Sequence, residues 1–224
     1  MRHAMDDHAS RARRSAVCFL IGPVAALCLA VPVLAGPGGR PDEKSEAAKV
    51  AKKMQKALAT SEEREALRHF QEEVAEYAEL HAKQLAKLGA QDPLATQEAL
   101  ARAIEAKRAQ AEPGDIFQPE IQPLFRRLIA EQLKGPDALD ARKAVVEGNP
   151  GLEEESVPIV VRVNAVYPLD APRSTVPPSL LLTLPPLPSS LHYRFVGRDL
   201  ILVDSVAQLI VDVLPAAAPD LAVK

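Results

Sequence analysis

Residues 191–214, LHYRFVGRDLILVDSVAQLIVDVL, form the densest run of β-branched and aromatic residues in the chain. Two pairs of turn-forming residues divide this run, Gly197-Arg198 and Asp204-Ser205. Each piece between them is short and apolar, as β-strands are. The run therefore predicts a three-stranded antiparallel meander with strands over 192–196, 199–204 and 209–214.

The segment before this meander has two parts. Residues 157–166 (VPIVVRVNAV) alternate along a strand-like period and predict a further strand, for which Pro158 suits a sheet edge. Residues 167–190, called the strap below, contain seven prolines. Within the strap we expect a short helix over 177–184 and three buried leucines, Leu180, Leu181 and Leu184. Such leucines favour a strap lying across the sheet, and the alternative is a proline-rich ligand for a partner's groove.

Residues 42–147 are rich in Ala, Glu and Lys and predict helices. Thr60 with Glu63 forms a capping box, and Gly89 is a suitable end. Between them an apolar stripe recurs every three or four residues: Leu67, Phe70, Val74, Tyr77, His81, Leu85 and Leu88. Asp92-Pro93 starts a second helix, so the short connection predicts an antiparallel helical hairpin.

A third amphipathic helix is predicted over 119–133, with a short helix following to about Glu147. Its stripe is the sharpest in the chain: Ile121, Leu124, Phe125, Leu128 and Ile129. The break at 148–156 then acts as a linker. The predicted fold class is α+β, an N-terminal helical hairpin or bundle followed by a small antiparallel β-meander module. In this division residues 42–147 are helical, 157–215 form the β-module with its strap, and 216–224 are a frayed tail.

The first 35 residues have the pattern of a signal peptide. Arg11, Arg13 and Arg14 precede the uncharged, mostly apolar stretch 16–35, which ends in Val-Leu-Ala. Cleavage is predicted between Ala35 and Gly36, leaving residues 36–41 as a flexible spacer. The alternative is an uncleaved anchor helix, because twenty apolar residues can span a bilayer. Cleavage would remove Cys18 and Cys28, so the mature chain would have neither a disulfide nor a thiol.

Composition and charge narrow the classes of partner. The net charge is −3 and the isoelectric point about 6.0, so no basic excess attracts nucleic acid. The helices lack a basic cluster for an anionic membrane surface, and stable membrane insertion after cleavage is not expected. We expect a partner in the cell envelope, or self-association. The predicted location is periplasmic or secreted.

Metal and cofactor sites are not predicted. The mature chain has three histidines, His69, His81 and His192, and they lack the clustered spacing of metal ligands. His81 lies on the apolar stripe and is interpreted as a packed side chain. The glutamates of the first helix, with Lys83 and Lys87 following, indicate a solvated, ion-paired face.

Catalytic motifs are also missing from the sequence. There is no G-x-S-x-G elbow, no P-loop and no dinucleotide glycine pattern. Serines of the strap are interpreted as caps and turns: Ser174, Ser179, Ser189 and Ser190. Three aspartates of the meander, Asp199, Asp204 and Asp212, are explained by turn geometry or edge protection. No catalytic residue is assigned, and enzymatic activity is not the favoured interpretation.

The meander resembles a known module. The pieces YRFVGRD (193–199), LILVD (200–204) and LIVDV (209–213) are similar to the C-terminal module of small periplasmic proteins, including the periplasmic nickel/cobalt homeostasis regulator family. Where that family tends to have Thr-Gly, this chain has Ala207-Gln208. The mature chain, including GDIF (114–117) and LFRRL (124–128), also looks similar to exported bacterial proteins without an assigned activity.

The resemblance implies a small β-module in the periplasm, and no metal-ligating residue carries over with it. The sequence thus predicts an exported, non-enzymatic binding or interaction module. The alternative is a metal-homeostasis accessory protein of the periplasm.

Overall fold

The C-terminal run folds as the predicted meander. In a computed structural model, β1 covers Leu191–Val196, β2 covers Asp199–Asp204 and β3 covers Ile210–Leu214, in the order β1-β2-β3 with both pairs antiparallel. Gly197, the first residue of the β1–β2 turn, has a φ of +59°, which a side chain would disfavour. The structure describes residues 58, 60–89, 92–134, 138–150, 152, 159–172 and 176–221. The predicted signal segment with its Ala35–Gly36 cleavage site, the spacer and residues 42–57 lie outside these ranges.

Five helices are present among the described residues. They are α1 (Ser61–Leu88), α2 (Pro93–Lys107), α3 (Gln122–Lys134), α4 (Leu139–Val146) and the single-turn α5 (Pro178–Leu181). The Thr60 hydroxyl accepts from the Glu63 amide, and the Asp92 carboxylate accepts from the Leu94 and Ala95 amides, as the capping patterns predicted. The α+β class with helices first and a meander last is confirmed.

The helices cover one face of the sheet. Alternate strand residues, among them Tyr193, Phe195, Leu200 and Leu202, share one core cluster with the buried sides of α1 to α3. Its centre is aromatic, with ring centroids 5.1 to 6.0 Å apart among Phe70, Phe117, Phe125 and Tyr193. The helical region and the β-module therefore share a core.

The opposite face of the sheet packs a second, smaller cluster. It contains Val196, Ile201, Val203, Ile210 and Val213, covered by Tyr167 and Ala171 of the strap. Leu180 and Leu184, later in the strap, belong to the first cluster. The strap thus passes from one face of the sheet to the other, around the β1 edge.

The strand predicted over 157–166 is wrong for its described part, residues 159–166. Ile159 and Val161 do pack toward the second cluster while Val160 is exposed, so the alternation is real. Within 159–166 the backbone forms an isolated bridge, Val166 with Leu209, in place of a ladder, and it turns at Asn164, whose φ is +63°. A turn at this position ends the pairing before a ladder can form.

Two other boundaries also need correction. The tail from 216 was expected to fray, yet Ala217, Ala218 and Leu221 are buried in the first cluster because the chain folds back over it. In the predicted linker, Asn149 is fully buried and holds the β1–β2 turn: its Oδ1 accepts from the Gly197 amide at 2.6 Å and its Nδ2 donates to the Gly197 carbonyl at 2.9 Å.

Candidate functional site

A groove of about 440 Å³ lies between the strap and β1. Four consecutive residues of β1, from Leu191 to Arg194, line it. Successive side chains of a strand point to opposite faces, so a groove lined by consecutive residues must run along the edge of the sheet. Strap residues form the other wall: Val176, Leu181, Pro185, Pro186 and Leu187. We call this the edge groove.

The backbone of Tyr193 faces this edge. In a hairpin with a two-residue turn, the residues that flank the turn exchange hydrogen bonds, and every second residue before them does the same. Val196, Arg194 and His192 are therefore bonded to β2, and the Ser205 amide continues the series by donating to the Ser190 carbonyl at 2.9 Å. The amide and carbonyl of Tyr193 point the other way, toward the edge groove.

Among the described residues, the lining of the edge groove is mostly apolar, and its titratable side chains other than Tyr193 are His192 and Arg194. His192 and Arg194 are two residues apart and share a face of β1. The Arg194 guanidinium lies over the Tyr167 ring, 5.4 Å from its centroid. Burial, and next the charge of Arg194, lower the pKa of His192 below its ordinary value.

A polar cluster lies on the helix-facing side of the sheet. Asp204 ends β2 and is fully buried, and its Oδ2 accepts from the Tyr77 hydroxyl at 2.7 Å and contacts His81 Nδ1 at 2.6 Å. Its Oδ1 accepts from the amides of Val206 and Ala207, which form the turn after β2. Burial raises the pKa of Asp204, but the hydrogen bonds from His81 and Tyr77 outweigh it and hold this pKa below its usual value. An ionised carboxylate only accepts, so His81 donates from Nδ1.

Asp212 anchors a different part of the helical region. A β-bulge between Leu202 and Val203 leaves Val211 unpaired, so the next residue, Asp212, also points toward the helices. Its carboxylate accepts four backbone amides at 2.6 to 2.8 Å: Gly114, Ile116, Phe117 and Val213. Burial raises the pKa of Asp212, and the four amides oppose that effect.

A second groove, of about 460 Å³, lies between α1 and residues 108–116. Its wall contains Glu73, Glu76, Asp115 and Arg108. Burial, and then the charges of Glu76 and Asp115, raise the pKa of Glu73. Arg108 stacks over Tyr77 at 5.3 Å and donates to the Val211 carbonyl, so it belongs to the structural contact between α1 and the sheet.

The structure places the three histidines considered as metal ligands in different environments. His81 is packed, as expected, while His69 is exposed beside Glu65 and His192 lines the edge groove. Within the described ranges, no three His, Cys, Asp or Glu side chains lie close enough together to hold a metal ion. Glu72 pairs with Arg68 at 2.6 Å rather than with a lysine.

The aspartates were only partly understood from the sequence. Asp204 closes its own turn, as turn geometry predicted, whereas Asp199 accepts from the Ala216 amide, 17 positions further along the chain. Edge protection is the wrong explanation for Asp204 and Asp212, because both are buried against the helical region. Ser179, Ser189 and Ser190 lie at helix or turn positions, and Ser174 is outside the described residues.

Three residues of the site were missed or misplaced. Leu181 was expected to face the core, but it is 46% exposed and lines the edge groove. Arg194 and its partner Tyr167 were not singled out. The sequence signal for Arg194 was its place between two inward-facing aromatics, Tyr193 and Phe195, which puts it on the other face of β1.

Comparison with protein-family models, with curated proteins and with solved structures gives no match. The resemblance to the nickel/cobalt homeostasis regulator family thus stays a prediction. Of the helices that the structure describes, none is long and apolar enough to cross a bilayer.

Proposed function

We propose that this chain is an exported, non-enzymatic binding module that accepts an extended peptide segment of an envelope protein in the edge groove. The observation that carries the proposal is the position of the groove, which runs along the β1 edge where the Tyr193 backbone faces outward. An extended segment placed there can add to the sheet as a fourth strand.

The dimensions and lining of the edge groove support this use. Its volume of about 440 Å³ is in the range of ligand sites and accommodates a few side chains. The prolines of the opposite wall, Pro185 and Pro186, lack amide donors and so do not compete for the backbone of an incoming strand. Main-chain hydrogen bonds to Tyr193 would give affinity, and the apolar wall would select side chains.

The test uses two neighbouring leucines of the strap. Leu181 is 46% exposed and lines the edge groove, while Leu182 is 45% exposed and is not part of its wall. The probes are synthetic, N-acetylated, C-amidated heptapeptides that alternate Val and Thr and carry Glu, Gln or Lys at one position. Fluorescence anisotropy measures binding to the chain from residue 36 onward, and NMR follows the Tyr193 amide.

We expect at least one peptide of the set to bind and to shift the Tyr193 amide. Leu181→Glu should weaken that binding by roughly tenfold, because a carboxylate would occupy the apolar wall, whereas Leu182→Glu should leave it unchanged. Absence of binding by every peptide, or equal losses in both variants, would contradict the proposal. A dimer that forms through β1 and vanishes in Leu181→Glu would replace it with self-association.

A further inference from the structure

We infer that the segment bound in the edge groove is held by one large aliphatic side chain, on the residue that lies beside Tyr193. We call this residue of the bound segment the anchor residue. The inference rests on the proposed function and specifies the chemistry of the partner, an extended segment with an aliphatic residue between two residues that need not be apolar. It follows from the difference between the two faces of the sheet at the edge groove.

Tyr193 fixes where an added strand pairs. Four consecutive residues of β1, 191–194, line the edge groove, and of these Leu191 and Tyr193 have their backbone groups directed away from β2. The Leu191 amide already donates to the Pro188 carbonyl at 3.0 Å. Tyr193 is therefore the lining residue of β1 that offers both an amide and a carbonyl to a bound segment.

The strap wall of the edge groove lies on the helix-facing side of Tyr193. The Tyr193 side chain points to that side, where its hydroxyl donates to the Pro185 carbonyl at 3.0 Å. Leu187 packs against the first cluster, on the same side. The residue of an added strand that lies beside Tyr193 has its side chain on this face in either strand direction, so the side chain enters the space between β1 and the strap.

That space has an apolar wall. The strap residues that form it are Val176, Leu181, Pro185, Pro186 and Leu187. Leu181 is 46% exposed, so an aliphatic side chain that covers it removes apolar surface from water on both partners and stabilises the complex. A polar side chain at this place would lose water without gaining a hydrogen bond from these apolar side chains.

The opposite face of β1 makes a different demand on the bound segment. Side chains next to the anchor residue alternate to the face of His192, which is exposed. A side chain placed beside an exposed residue keeps contact with water, so its burial contributes little to affinity. The bound segment therefore needs an aliphatic side chain at the anchor residue and accepts polar side chains at the two neighbours.

The size of the edge groove favours a short segment over a second copy of this chain. Nine of the described residues line the groove, whereas each side of a stable protein interface contributes about 20 to 30 residues. An anchor residue with its two neighbours spans three positions, which fits beside the four residues of β1 in the groove. A peptide segment thus matches the groove better than a whole subunit does.

The experiment varies the anchor residue in a host peptide that supplies no other apolar candidate. The probes are N-acetylated, C-amidated heptapeptides of threonine with Leu or Ala at the central position. NMR titration of the Tyr193 amide measures their affinities for the chain from residue 36 onward. We expect the Leu peptide to bind roughly 5- to 20-fold more tightly than the Ala peptide, because the groove removes part of the larger side chain from water. Replacing both threonines next to the Leu with Gln should change the affinity by less than about twofold.

Strap variants test where the anchor residue binds. Leu181→Ala should lower the Leu-to-Ala affinity ratio by roughly two- to fourfold, because it removes part of the apolar wall. Leu182→Ala is the matched control, since Leu182 is 45% exposed and is not part of that wall, and it should leave the ratio unchanged. Nuclear Overhauser contacts of the peptide's Leu methyl groups should reach Leu187, on the strap side.

The outcomes separate this inference from the proposed function. Equal binding of the Leu and Ala peptides would overturn the anchor residue and keep the peptide groove, provided that the Val and Thr peptides still bind and lose affinity in Leu181→Glu. An unchanged affinity ratio in Leu181→Ala, or contacts of the Leu methyl groups with the His192 ring in place of Leu187, would also overturn the anchor residue. Failure of every peptide in both sets would overturn the anchor residue and the peptide groove together.

Discussion

Asp212 shows how one side chain connects the sheet to the helical region. The bulge at Val211 turns its carboxylate inward, and residues 114–117 close around it with three of their backbone amides. A buried carboxylate is expensive unless its lone pairs are satisfied, and here the four amide donors satisfy both oxygens. The residue therefore fixes the loop between α2 and α3 by hydrogen bonds rather than by apolar packing alone.

Asp212→Asn should destabilise the fold by about 2 to 4 kcal/mol. The variant keeps the shape but replaces one oxygen with an NH2 group, which faces two amide donors and can accept from neither. Urea denaturation measures the change. Asp199→Asn is the control, because Asp199 is half-buried and accepts one amide, that of Ala216, so its loss should stay below about 1 kcal/mol. Similar losses in the two variants would mean that the four bonds to Asp212 add little.

Asn149 holds the β1–β2 hairpin from outside the sheet. Its side chain makes two hydrogen bonds to the backbone of Gly197, where the positive φ already favours the turn. A segment that the sequence identifies as a linker thus contributes a fully buried amide to the meander. The position of the turn was predictable from Gly197, but its tertiary partner was not.

Removing this contact should loosen the hairpin first. Asn149→Ala is expected to cost about 2 to 3 kcal/mol and to speed amide exchange of β1 and β2, because the amide and carbonyl of Gly197 lose their partners inside the protein. Hydrogen exchange followed by NMR or mass spectrometry measures the exchange rates of these amides. Gln122→Ala removes a half-buried amide that also makes two hydrogen bonds, and it should leave β1 exchange unchanged. Uniform acceleration throughout the chain would contradict a local effect.

Local patterns predicted the elements that depend on local chemistry. Thr60, Asp92 and Gly89 mark helix ends because caps are short-range contacts, and the meander strands follow from alternation and turn residues. Segment 159–166 has the same alternation without forming a strand, because its backbone turns at Asn164 instead of meeting a continuous partner edge. Leu181 was misplaced for a related reason: α5 lasts a single turn, so its register could not be extrapolated through residue 184.

The contacts of the buried aspartates join residues that are far apart in sequence. Tyr77 and Asp204 are 127 positions apart, and no pattern within either segment indicates that they meet. The division into a helical region and a separate β-module fails for the same reason, since one core cluster extends from Leu58 to Leu221. Four aromatic rings lie at the centre of this core, although aromatic residues make up only 4% of the chain.

The Asp204 cluster makes the stability of the folded chain sensitive to acid. The groups that face Asp204 are Tyr77 and His81 on α1, with the charge of His192 from β1. Its folded pKa lies below the ordinary value of 3.8, so the folded state holds this proton less tightly than the unfolded state. The stability that Asp204 contributes is therefore fully present above about pH 4 and is lost as the pH falls through the folded pKa.

Replacing Asp204 with asparagine should flatten this acid response. Asp204→Asn is expected to be less stable than the parent chain at neutral pH, and the difference should shrink as the pH falls below about 4, because the parent then loses the same charge. Urea denaturation between pH 2.5 and 7 is followed by circular dichroism for the helices and by the combined fluorescence of Tyr77, Tyr167 and Tyr193 for the contacts of the sheet. A difference in stability that stays constant over this range, or grows toward acid, would contradict the assignment. Since Asp204 joins α1 to β2 within a shared core, both probes should report a common transition in the parent chain and in the variant.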